Sequence, residues 1–136
     1  MPQRTPIKVR GYHLDLYGHV NNARYLEFLE EARWEMMESA GQLDWFMQER
    51  LALVVSRIDI RYKRPATMGD ELVVETWLSE IGERHGVVAQ RIVRADNDKL
   101  VAEADVTFAV IHPEQQGARP FTGAIAERLL PMLEEH

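Results

Sequence analysis

Asp15, His19, Asn21 and Asn22 fall close together in the stretch HLDLYGHVNNARY at positions 13–25. A carboxylate that stays ionised can act as a base or as a nucleophile. Asn21 and Asn22 are both helix-capping types, because their short side chains accept hydrogen bonds from the first free backbone N–H groups of a helix. That first turn carries unpaired donors and a partial positive charge, so it can hold an anion or a developing oxyanion. With Asp15 one short loop upstream, acid and helix end could face the same carbonyl, and the dipole would help keep the acid ionised. His19 could bond at the same place or orient the acid. Gly18, without a side chain, would let a ligand approach the backbone closely. The plainer alternative is that Asp15 is a loop residue and Asn22 a cap, the commoner duty of these types.

Other chemistries find little support. The chain has no Cys, which removes disulfides, thiolate ligands and Cys nucleophiles together. His13 and His19 lack the spacing of a zinc motif, and no metal is expected. The serines, Ser39, Ser56 and Ser79, stand outside any G-x-S-x-G. No phosphate-binding or dinucleotide glycine fingerprint occurs. The net charge of −6 argues against nonspecific nucleic-acid binding. With 136 residues and 46% hydrophobic content, one domain over residues 1–136 can bury a core without staples. The opening MPQRTPIKVRG has no apolar run, so a signal peptide is not expected. No segment approaches ~18 consecutive apolar residues, so no membrane span is expected. A cytoplasmic location is the resulting expectation.

The elements that must position these residues follow from periodicity. Residues 6–12 predict a short strand. Residues 22–40 predict the longest helix, with Tyr25, Phe28, Leu29, Ala32, Met36 and Ala40 on one face and Glu27, Glu31, Glu35 and Glu38 on the other. Gly41 is placed to end it, and LDWFMQER follows as a weaker helix or loop. In VVSRIDIRYKRP, Val54, Ser56, Ile58, Ile60 and Tyr62 alternate with Val55, Arg57, Asp59, Arg61 and Lys63, predicting a strand with one apolar and one charged face. Strands are predicted at 71–80, 84–95 and 99–111, with turns at MGD, IGE and DND, and a short helix at 122–134. One strand, a long helix and then four strands do not make a βαβα pattern. The prediction is an α+β fold, an antiparallel sheet curled round one central helix. Its edges need covering, which dimerisation commonly provides.

The segment RGYHLDLYGHVNNARYLEFLEEARWE resembles the signature of hotdog-fold acyl-CoA thioesterases of the 4-hydroxybenzoyl-CoA thioesterase type: an Asp, then x-x-G-H-V-N-N-x-x-Y-L opening the central helix. The likeness continues through RYKRPATMGDELVVET and covers roughly residues 7–112, nearest to the long-chain enzymes of bacterial fatty-acid metabolism. It implies five antiparallel strands round the helix, a homodimer with active sites at its interface, and pairing of dimers into a tetramer. By the resemblance, Asp15 is the catalytic acid, Asn22 offers the backbone N–H that polarises the thioester carbonyl, and His19 and Asn21 line the pocket. Tyr25 matches an aromatic of the first turn, for packing or for catalysis. Other branches use a helix Glu, for which Glu27, Glu30 and Glu31 are available.

A thioester carbonyl is electrophilic and its thiolate leaves readily, so a carboxylate and one or two donors suffice without a cofactor. The acyl chain would run between helix and sheet, past residues such as Phe28, Trp34, Met36, Met37, Trp45, Phe46 and Met47, which ordinary core packing also explains. CoA phosphates would need cations, and Arg64 beside Pro65 is the one singled out among Arg57, Arg61, Lys63, Arg84 and Arg91. The expected activity is hydrolysis of long-chain acyl-CoA. An acyl-carrier-protein thioesterase and a non-catalytic acyl-binding dimer stand as alternatives.

Overall fold

The structure is a computed structural model and describes residues 2–134; the outermost positions of the 1–136 span lie outside them. Five strands form one antiparallel sheet: β1 (Gln3–Lys8), β2 (Ala52–Tyr62), β3 (Glu71–Ile81), β4 (Gly86–Arg94) and β5 (Leu100–Ile111). The spatial order is β1-β3-β4-β5-β2, which leaves β1 and β2 at the edges. The sheet curls round α1 (Asn22–Ser39), with α2 (Leu43–Gln48) and α3 (Gly123–Leu129) beyond it. This is the helix-in-sheet arrangement of the hotdog fold. Among the described residues, no helix is long and apolar enough to cross a membrane.

The helix buries Tyr25, Phe28, Leu29, Ala32 and Met37, a stripe at spacings of three, four and five. Ala40 is exposed, and Met36 only partly covered. Gly41, at φ 70°, sits in the left-handed region just past the helix and donates to Glu38 O at 3.0 Å, which closes the last turn. The core continues into Leu72, Val74, Ile92, Val106 and Phe108 of the sheet's inner face. One polar group crosses this interface. Gln90, 1% exposed, donates to Leu29 O at 2.9 Å and Thr76 Oγ1 at 3.0 Å, and accepts from Arg33 at 3.0 Å. Its amide is thereby satisfied on both sides, which removes the cost of burying it.

The outer face carries the charges that the alternation predicts. Arg4, Glu75, Arg91, Glu103 and Arg61 occupy one row across all five strands, alternating in sign. Glu75 bonds both Arg4 and Arg91, and Glu103 accepts from Arg61. Surface pairs of this kind, here only partly open to water at Glu75, add little stability, but they favour one register over its neighbours.

Four expectations change. The first strand is Gln3–Lys8 rather than 6–12, because the chain leaves the ladder after Val9 and tightens into a 3₁₀ turn at Gly11–His13. The strand predicted at 84–95 is shorter, Gly86–Arg94, since residues 82–85 form its turn. The terminal helix stops at Leu129 and gives way to a 3₁₀ turn at Leu130–Met132, where Pro131 cannot donate to the helical ladder.

The fourth concerns β2. Its alternation is broken by a register shift between Val55 and Arg57, which leaves Ser56 unpaired. Beyond that bulge the faces exchange. Leu53 and Val55 pair with Val110 and Phe108 and border the space between helix and sheet, Val55 while still half exposed at the sheet edge, whereas Val54 does not border it.

Candidate active site

Asp15 sits in a narrow loop whose base is closed by backbone bonds. Asn21 N–H donates to His13 O at 2.9 Å, and Asp15 N–H to His19 O at 2.8 Å. Gly18 takes φ 78°, a conformation that costs other residues energy, and its N–H returns to Asp15 O at 3.1 Å. The Asp15 carboxylate is itself oriented. Its Oδ1 accepts Tyr17 N–H at 2.8 Å and His19 N–H at 3.3 Å, an Asx turn in which Oδ2 has no partner among the described residues.

The helix begins where the Asn pair predicts. Asn21 is the N-cap: its Oδ1 accepts Ala23 N–H at 3.0 Å and its carbonyl accepts Arg24 N–H at 2.8 Å. Two of the first three N–H groups are thus engaged by one residue. The Asn22 N–H has no acceptor among the described residues, and it lies on the electropositive end of an 18-residue helix.

Asp15, His19, Asn21, Asn22, Tyr25 and Arg64 line one cleft of about 440 Å³, together with Tyr62 and Lys63. Six of the seven residues singled out in the sequence therefore meet in one place. Gly18 does not line it and instead shapes the turn behind it. His19 acts on Asp15 through its backbone, and its imidazole makes no hydrogen bond among the described residues. Tyr25 is buried, and its hydroxyl accepts Ala66 N–H at 3.2 Å, tying the first turn to the chain after Pro65. Burial raises its phenol pKa above 10.0, so it stays protonated at neutral pH. One Arg64 nitrogen donates to Leu100 O at 2.8 Å. Glu27 pairs with Arg24, and none of Glu27, Glu30 and Glu31 lines the cleft.

A second pocket of about 390 Å³ lies between helix and sheet, walled by Trp34, Met36, Met37, Phe46, Met47, Leu53, Val55 and Phe108. Five of these, Trp34 to Met47, were expected to line an acyl tunnel; Phe28 and Trp45 are packed elsewhere. Arg33 also borders this pocket, and burial pulls its guanidinium pKa down from the usual arginine range. The two cavities share no lining residue. Glu30, the first helix residue at the apolar pocket, lies eight positions past Asn22, about 12 Å along the axis.

The Thioesterase-like superfamily profile matches residues 9–129. The chain belongs to that thioesterase family. It is 43% identical over 131 residues to the long-chain acyl-CoA thioesterase FadM of Escherichia coli strain K12, covering 96% of this chain and 99% of that one. The acyl-CoA thioester hydrolase YbgC of Escherichia coli O6:H1 is 32% identical over 123 residues, covering 90% and 91%. The crystal structure of the probable thioesterase YbaW from Escherichia coli superposes with a TM-score of 0.91 at 42% identity, covering 97% and 99%. In this thioesterase-family chain, Tyr62 is a cleft residue that sequence reasoning missed, as are Val20 and Pro65. Its inward parity on β2 was legible, but its meeting with a helix 40 positions upstream was not.

Proposed function

We propose that this protein is a cytoplasmic acyl-CoA thioesterase that hydrolyses long-chain fatty acyl-CoA to the free acid and CoA. Asp15 Oδ2 takes a proton from water, whose oxygen bonds to the carbonyl carbon, or attacks that carbon itself to form an acyl anhydride that water then hydrolyses, while the Asn22 N–H donates to the carbonyl oxygen as negative charge develops on it. The carbon–sulfur bond breaks, and the departing thiolate carries the electron pair and is protonated. The carrying observation is that a held carboxylate and an unpaired helix-end N–H line the same cleft.

The acyl chain needs an apolar lining that this polar cleft lacks. The second pocket supplies one, within the size range usual for small-molecule sites. A second copy of the chain would join the two. Pairing of edge strand β2 with its mate about a two-fold axis sets the central helices antiparallel, so the start of one lies beside the later turns of the other. Exposed Val54, Val55 and Trp34 lie on the surface this would cover. Association of dimers into a tetramer belongs to the same reading and rests on the family resemblance alone. Lys63 and Arg64 at the cleft suit the phosphates of CoA.

The test is release of free thiol from acyl-CoAs of graded length. Asp15→Asn keeps an oxygen for the Asx turn but removes the base, and thiol release should fall about 10²–10⁴-fold. An Asp15→Asn protein as active as the parent would end this reading.

A further inference from the structure

Tyr62 ends the edge strand β2 with its ring turned toward the helix. The ring centre lies 5.5 Å from that of Tyr25, and the hydroxyl donates to Asn22 O at 3.0 Å. The side chain borders the Asp15 cleft and is 47% exposed. A tyrosine this open can satisfy its hydroxyl with water. Here it reaches the first helical residue instead.

The peptide unit it touches is already engaged on its other side. Asn22 C=O and Ala23 N–H belong to one plane, and Ala23 N–H is held by Asn21 Oδ1 at 3.0 Å. Tyr62 therefore grips the carbonyl of a plane whose amide is gripped by the cap. The preceding plane carries the open Asn22 N–H, and its carbonyl, of Asn21, accepts from Arg24 at 2.8 Å. With both planes pinned, the one free donor cannot rock away from the cleft. A helix start held only at the cap would be free to fray, as first turns do.

We propose that Tyr62 is a positioning residue for thioester hydrolysis. Its hydroxyl holds the Asn22 carbonyl from the edge strand and aims the neighbouring Asn22 N–H at the substrate carbonyl. The role rests on the hydrolase reading above and deepens it. A preorganised donor acts on the transition state more than on the bound substrate, so its loss appears in kcat rather than in KM.

Tyr62→Phe keeps the ring against Tyr25 and removes only the donor. The expected result is a fall in kcat of roughly tenfold with KM changed less than about twofold. The pH profile of kcat should stay in place, because Asp15 is untouched. The backbone amide NMR signals of Asn22 and Ala23 should shift relative to the unaltered protein, a readout independent of turnover. An active parent with a Tyr62→Phe variant of equal kcat overturns the role, as does a rise in KM at constant kcat. If the unaltered protein releases no thiol from any acyl-CoA, the hydrolase reading fails first and this role with it.

Discussion

The carbonyl of His13 accepts the N–H of Asn21 at 2.9 Å, so the loop that carries Asp15 leaves and returns at a single point. His13 is 8% exposed and its ring packs edge-on to Phe28 at 4.9 Å. Its Nδ1 accepts Arg10 N–H at 2.9 Å, which requires that nitrogen to be unprotonated. The acid and the helix end are thus set against each other by a buried, neutral imidazole rather than by their own contact.

Stability should therefore depend on pH through His13. Burial lowers its pKa below 6.5, the Arg24 guanidinium adds to that, and Glu27 opposes it. In the unfolded chain the imidazole takes up its proton at about pH 6.5, and in the native chain only at lower pH. Between those values the unfolded state binds more protons, so stability is full above 6.5 and declines as the pH falls toward the native value. Urea unfolding at about pH 7.5 and about pH 5.5 should show a lower midpoint at the acid value. His13→Gln, which has no proton to gain in this range, should lose that part of the slope.

Replacing Asn21 tests the helix start. Asn21→Ala removes the acceptor of Ala23 N–H and should lower unfolding free energy by about 1 kcal/mol, measured by urea denaturation. Asn21→Asp restores an acceptor and adds a negative charge at the positive end of the helix, so it should recover the loss.

Met36, partly buried in the wall of the apolar pocket, tests where the acyl chain runs. Met36→Trp narrows this pocket without touching the loop that carries Asp15 in the same chain. Thiol release from long-chain acyl-CoA should fall about tenfold more than from short-chain acyl-CoA. Equal losses on both would remove the chain from this pocket.

Gly86 begins β4 against the ring of Phe108. A Cβ at that position would stand 2.6 Å from Phe108 Cζ and 2.7 Å from Cε1. Phe108 is 4% exposed and stacked on Phe121 at 6.0 Å, so its ring has little room to yield. Gly86→Ala should cost about 1–3 kcal/mol in urea unfolding, an overpacking penalty.

Much of this was legible before folding. The Asn pair predicts the helix start within one residue, because a cap acts on N–H groups two and three positions away. The alternation of Ala102 to Val110 predicts the buried face of β5, because a strand that buries one side repeats every two residues, although Val101, expected on the other face, is buried as well. Asp15, His19, Asn21 and Asn22 were found together because a loop of a few residues cannot separate them.

What the sequence by itself determined was element type and the identity of the helix-end cluster, since both are encoded in neighbours along the chain. Tertiary structure alone decided that Ser56 bulges and turns Val55 toward the apolar pocket, that β2 lies at an edge, and that Tyr62 meets Asn22 across 40 positions. A bulge is a single-residue slip in pairing that leaves the apolar pattern on either side intact. A contact between distant residues depends on the register of every strand between them, which no local pattern records.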